Sequence, residues 1–182
     1  RLGGDGFGAH SVAVGGDSGV AQDRGAEDRG IGGVDSHRHV GAHVLDRLER
    51  ADDDAELYSS VAERAEGMPN VTVLGFVPFR EIDGYFKRAS AYLCTSTVEG
   101  FPNTFLQSWS HGRPVVSTVD PDGVIAEYDL GVHCRETSQL AAAVRHVCDE
   151  NETYTRRTWN HVRSFHAPGV IMPQIEAMLQ SQ

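Results

Sequence analysis

AYLCTSTVEGFPNTFLQSWSHGRPVVS, residues 91–117, is the stretch on which the fold turns. Its first four residues are an apolar run too short for a helix, and they fit a buried strand. Residues 95–101 form a polar loop, and Pro102 follows where the first turn of a helix tolerates proline. The helix runs to His111 with Gly112 placed to end it, and residues 114–117 make the next short strand. Strand, loop, helix and strand in this order predict two parallel strands joined by a crossover helix.

The pattern repeats on both sides. Upstream, Asp52, Asp53 and Asp54 can cap a helix to about Glu66, with Leu57, Val61 and Ala65 on one face and Gly67 as its stop. Residues 71–74 read as a strand, and 81–88 as a short helix with Ile82, Tyr85 and Phe86 inward. Downstream come a Pro/Gly-rich loop at 119–123, a strand at 131–134, and helices at 138–149, 152–166 and 170–180. The class is therefore α/β, a parallel sheet flanked by helices. Such sheets bind ligands beyond the carboxyl ends of their strands, beside helix N-termini, so the loop 95–103 is the first place to look for a site.

A seam lies near residue 50. The first fifty residues hold 12 of the 20 glycines and four of the nine histidines, with Phe7 as their one aromatic. Little apolar surface is available there to offset ordering entropy, so much of residues 1–38 is expected to be irregular. A helical stripe is expected only at 40–48, through Val40, Val44, Leu45 and Leu48. Residues 4–9 match G-x-G-x-x-A, but only Arg1 and Leu2 precede them where a strand should be, and Gly15 and Gly16 interrupt the helix that should follow. His37, His39 and His43 have no acidic or cysteine partner at ligand spacing, so solvated histidines are expected, with no metal. The segment is poorly patterned, and residues 1–50 read as disordered or out of frame ahead of a domain at 51–182. The chain lacks an initiator methionine and an apolar leader, which suits a fragment.

Composition limits the classes of partner. A chain of 182 residues suits one domain, and at that length about 68–70% of the unfolded surface can be buried. The formal charge of −10 argues against nucleic acid, whose phosphates need a basic footprint. Lys87 is the single lysine beside 15 arginines, a pattern produced either by adaptation to a salty cytoplasm or by a GC-rich genome. Cys94, Cys134 and Cys148 are widely spaced without a C-x-x-C, so a reducing, cytoplasmic setting is the simplest. No stretch reaches the ~20 apolar residues that span a bilayer.

The loop itself suggests chemistry. Gly100 permits close backbone approach, and the N–H groups of Asn103 and Thr104 open a helix that favours an anion. Glu99 is suited to accept from hydroxyls rather than to meet phosphate. This is an expected layout for a nucleotide-sugar, although a solvated loop acid beside an ordinary cap would look the same.

The run Glu99-Gly100-Phe101-Pro102-Asn103, then Phe105-Leu106-Gln107, then His111-Gly112 and Pro114-Val115-Val116, resembles the donor-binding signature of glycosyltransferase family 4. Asn70-Val71, Val73 and Gly75-Phe76-Val77 resemble that family's strand and loop at the nucleotide base, and 82–90 its helix and strand leading into the signature. The similarity covers about residues 52–182. It implies the C-terminal, Rossmann-like lobe of a retaining, two-lobed B-type enzyme. By resemblance, Glu99 is the catalytic-site acid that holds donor-sugar hydroxyls. Gly100, Phe101, Asn103 and Thr104 meet sugar and diphosphate, Phe76 and Val77 border the base, and Gln107 faces the ribose. No cofactor or obligatory metal is implied. The partners implied are a nucleotide-sugar, an acceptor glycan, lipid or small molecule, and a separate N-terminal lobe, with peripheral membrane contact compatible.

Two features depart from the family pattern. Gln107 stands where a second glutamate is usual, and an amide cannot accept from two ribose hydroxyls as a carboxylate can. Residues 1–50 contain no lysine and nothing alignable to the family's Gly-Arg…Lys segment, whose cations neutralise the diphosphate. Three functions therefore stay open: the donor half of a glycosyltransferase, a non-catalytic remnant or binding module, and, more weakly, a nucleotide-sugar epimerase.

Overall fold

The computed structural model describes the backbone of residues 10–16, 40–46, 55–74 and 77–180, and side chains from Ser59 onward within these. The sequence motif at 4–9, His37, His39, Gly75 and Phe76 lie outside the described residues. The elements are β1 (His10–Gly16), β2 (Val40–Asp46), α1 (Ala55–Glu66), β3 (Val71–Val73), α2 (Phe79–Arg88), β4 (Ala91–Cys94) and α3 (Asn103–Ser110). They continue with β5 (Val115–Ser117), α4 (Val124–Tyr128), β6 (Gly131–His133), α5 (Leu140–Asp149), α6 (Asn151–His161) and α7 (Pro168–Gln180).

Six strands form one sheet in the order β3-β2-β1-β4-β5-β6. The pairs β4–β5 and β5–β6 are parallel, with Leu93 opposite Val116 and Val116 opposite Val132. The β2–β3 pair is parallel as well. Strand β1 runs antiparallel to both neighbours, with Val12 opposite Val44 on one side and Leu93 on the other. The class is the α/β expected, but two local expectations are corrected. Residues 10–16, expected to be irregular, form a strand in the middle of the sheet, and 40–46, expected to be helical, form another. The physical reason is pairing: each is flanked on both sides by other strands, and ladder bonds made at a distance outweigh a weak local preference.

Two apolar layers cover the β4–β6 half. One holds Ala91, Val116, Val144, Val147 and Tyr154 under α5 and α6. The other holds Phe86, Tyr92, Phe105, Trp109, Val115, Ile125 and Leu130 under α2, α3 and α4. Strands buried on both faces read as continuous apolar runs, as 91–94 and 115–116 do. Gly131 is required where β6 meets β5, since a Cβ there would fall 1.8 Å from the Val115 carbonyl oxygen.

Helix α4, five residues long, follows the loop expected at 119–123, in a stretch for which the sequence suggested no element. Nothing so short is stable alone. Asp120 caps it, its carboxylate accepting from the N–H of Ile125 at 2.8 Å and of Ala126 at 3.2 Å. Asp120→Ala is therefore expected to cost about 1 kcal/mol of stability, readable as a lower urea midpoint at unchanged m-value. A loss below ~0.3 kcal/mol would mean that tertiary packing alone holds the turn.

Candidate functional site

The site is built from the carboxyl ends of β4 and β5 and the start of α3. Cys94 ends β4, and the chain enters the loop through Ser96, which is buried. Thr118, just past β5, anchors this exit: its N–H donates to the Cys94 carbonyl at 3.1 Å and its hydroxyl to the Ser96 carbonyl at 2.6 Å. Ser117 Oγ accepts from the Val119 N–H at 3.0 Å, which turns the β5 exit the same way. Two adjacent strand ends are thus locked together before the loop begins.

From that base the Ser96 hydroxyl donates to Glu99 Oε1 at 2.7 Å. Glu99 is half-buried, and Oε1 is the oxygen that the Ser96 hydroxyl engages. One oxygen thus holds the side chain in place, and a carboxylate has a second that can accept from a hydroxyl donor. A Cβ placed on Gly100 would have nothing within 4 Å, so the backbone borders open space here.

Helix α3 begins at Pro102, which offers no side-chain cap. The Phe105 N–H bonds back to the Pro102 carbonyl at 3.0 Å, while the N–H groups of Asn103 and Thr104 precede any intrahelical acceptor. No acidic residue occupies the first turn, so the positive end of the helix is not offset by a carboxylate of its own. Gln107 lies on the second turn, half-buried, with its carbonyl accepting from Ser110 Oγ. Sequence reasoning therefore named a contiguous set, Glu99, Gly100, Phe101, Asn103, Thr104 and Gln107, that surrounds one strand end and one helix start.

Val77 sits elsewhere: it packs with Leu74 and Tyr85 around Ala89, in an apolar cluster separate from that of Phe105 and Trp109. Phe101 is more than a loop residue. Its ring lies edge-on to Trp109, centroids 6.2 Å apart, and 6.2 Å from the ring of His166. The supports Ser96, Thr118, Trp109 and His166 were not singled out from sequence. Ser96 carried a signal, a small polar residue three before an acid in a strand-end loop, whereas His166 lies 65 positions from Phe101 and carried none.

The far end of α3 is closed by polar contacts of another kind. Asp83 of α2 bonds Lys87 and His111, each at 2.5 Å, and the Lys87 ammonium, with His111, holds the Asp83 carboxyl below its usual range. Arg113 reaches the Lys87 carbonyl at 2.8 Å, so this cation is spent on the fold. Gly112, at φ +73°, ends α3, and its carbonyl accepts from Thr155 of α6 at 2.9 Å. Among the described residues no group of three or more His, Cys, Asp or Glu is placed to hold a metal.

With this geometry in hand, comparisons with known proteins are informative. A family described as glycosyl transferases group 1 matches residues 47–150. Sucrose-phosphate synthase from Thermosynechococcus elongatus superimposes with a TM-score of 0.61 at 14% identity, over 76% of this chain and 37% of that one. The pneumococcal O-GlcNAc transferase GtfA, solved with UDP and GlcNAc, gives a TM-score of 0.52 at 16% identity, over 70% of this chain and 27% of that one. At these identities the two structures speak to fold, and the chain spans well under half the length of either. No curated protein matches the sequence. Among the described residues no helix is long and apolar enough to cross a membrane.

Proposed function

The chain belongs to the glycosyl transferases group 1 family, and from that premise we propose that it forms the donor half of a retaining glycosyltransferase. The reaction would carry a sugar from a nucleoside-diphosphate sugar to an acceptor hydroxyl. One observation carries this reading: Glu99, held through one oxygen by Ser96, stands four residues before a helix start with neither a side-chain cap nor an acid of its own. That juxtaposes an acceptor for sugar hydroxyls with donors for an anion.

In this reading Glu99 takes the donor sugar's hydroxyls, and the backbone at Gly100 and Phe101 lies along the sugar. The N–H groups of Asn103 and Thr104 receive the diphosphate and stabilise the charge that builds on it as the sugar leaves. Fixed amide dipoles thus do what a bound cation does in other transferases, so no metal is required. Gln107, about one turn further along α3, meets the ribose, and Val77 lies toward the base. The acceptor and its binding residues belong to a second lobe. GtfA was solved with UDP, which makes uridine donors the first to test.

Calorimetry with UDP-, GDP- and ADP-glucose on the parent protein tests the reading, and at least one should bind. Gln107→Glu should tighten that nucleotide-sugar and its free nucleoside diphosphate alike, by about 1–2 kcal/mol, because a carboxylate accepts from both ribose hydroxyls with charge assistance. Absence of binding by parent and variant alike would favour a fold kept without donor recognition. A gain confined to the nucleotide-sugar would move Gln107 from the ribose to the sugar.

A further inference from the structure

His161 ends α6, and the next five residues, Val162–His166, form a π turn before α7. In an α-helix, residues five apart point to different sides, whereas the i→i+5 turn stacks them. Here that turn brings His161 Nε2 to 3.3 Å from His166 Nε2. His161 is buried, 6% exposed, and packs against Trp109 at 5.7 Å, Tyr128 at 4.6 Å and Phe165 at 4.9 Å between centroids. Its Nδ1 has no hydrogen-bond partner among the described residues, so the bond to His166 is its one polar anchor. His166 in turn lies against Phe101, the residue between Gly100 and Pro102 in the candidate site.

We propose that His166 is a positioning residue: bonded to His161, it holds the Phe101 ring, and with it the turn from Glu99 to Asn103, in the conformation that receives the donor. The inference rests on the donor reading above. The bond needs one Nε2 to donate and the other to accept, a condition met when at most one imidazole is charged. Two imidazolium rings present only donors to each other, and the pair must part. Burial holds both rings below the ordinary histidine value, and for His161 the charge of His166 adds to this. The groups facing the pair are Trp109 of α3, Tyr128 of α4, Phe165 and Phe101; Tyr128 is engaged by Glu127, and no carboxylate is among the influences on either histidine. With both folded values depressed, the pair is intact above about pH 6.5, and its bond is lost only once pH has fallen far enough for both rings to carry a second proton.

The test uses UDP-glucose, whose diphosphate diester does not titrate in this range, with NMR of the Phe101 and histidine rings. In the parent protein, affinity should fall at least about fivefold between pH 7.5 and the acid pH at which the ring signals show both histidines protonated, the lower end of coupling between linked sites. The Phe101 signals should move in step with His166. His166→Gln, whose amide can bond His161 without taking a proton, should keep the pH 7.5 affinity and show no fall. His166→Ala should bind weakly at both pH values. A parent protein with pH-independent Phe101 signals, or a His166→Gln variant that falls as the parent does, would overturn the proposal. If none of UDP-, GDP- and ADP-glucose binds while Phe101 still follows His166, the donor reading fails and the positioning contact stands.

Discussion

Trp109→Ala should lower the free energy of unfolding by about 3–5 kcal/mol, the range for deleting a large buried aromatic side chain. The indole is fully buried among Phe101, Phe105 and His161. Its Nε1 donates to the Leu130 carbonyl at 3.1 Å, tying α3 to the turn before β6. Truncation opens a cavity and removes one of the two hydrogen bonds that this carbonyl accepts, the other coming from the Val115 N–H at 3.1 Å. Domains are stable by about 5–15 kcal/mol, so a large share would be lost. Trp109→Phe keeps most of the ring and loses the bond, and should cost distinctly less. Urea unfolding of the three proteins gives the comparison. An Ala variant within about 1 kcal/mol of the parent would show that the layer under α3 collapses around the gap, contrary to the close packing inferred for it.

Glu99→Ala should weaken nucleotide-sugar binding about tenfold to a hundredfold, the equivalent of a hydrogen bond to a charged group. Affinity for the matching nucleoside diphosphate should stay within about twofold, because the proposed reading assigns the diphosphate to the α3 amides and the ribose to Gln107. The asymmetry is the point. Loss of both ligands together would mean that Glu99 serves the loop through its bond to Ser96. Ser96→Ala separates the two roles: it frees the carboxylate without removing it, and should weaken sugar binding by much less than the loss of the acid. Calorimetry on the three proteins with both ligands decides the matter.

Residues 91–117 were legible because each local signal there agrees with the fold. A short apolar run becomes a strand when buried on both faces, as 91–94 and 115–116 are. Pro102 and Gly112 bracket α3 through their backbone preferences, which act without tertiary help. The group Glu99, Gly100, Asn103, Thr104 and Gln107 is contiguous in the chain, so a strand–loop–helix reading suffices to gather it.

Elsewhere the deciding partners are remote. Strands β1 and β2 come from glycine-rich sequence with little periodicity, and their conformation depends on ladders to β4 and β3. Helix α4 exists because Asp120 caps it and Ile125 docks in the core. The lock on the loop comes from Thr118, 22 residues beyond Ser96, and the contact behind Phe101 from His166. By itself the sequence determined the alternation of strand and helix beyond residue 55 and the gathering of one loop's polar residues at a strand end, since those rest on backbone preference and adjacency. Only the tertiary structure decided the antiparallel placement of β1, the hold of Thr118 on the loop and the contact of His166 with Phe101, because each joins groups that are far apart in sequence.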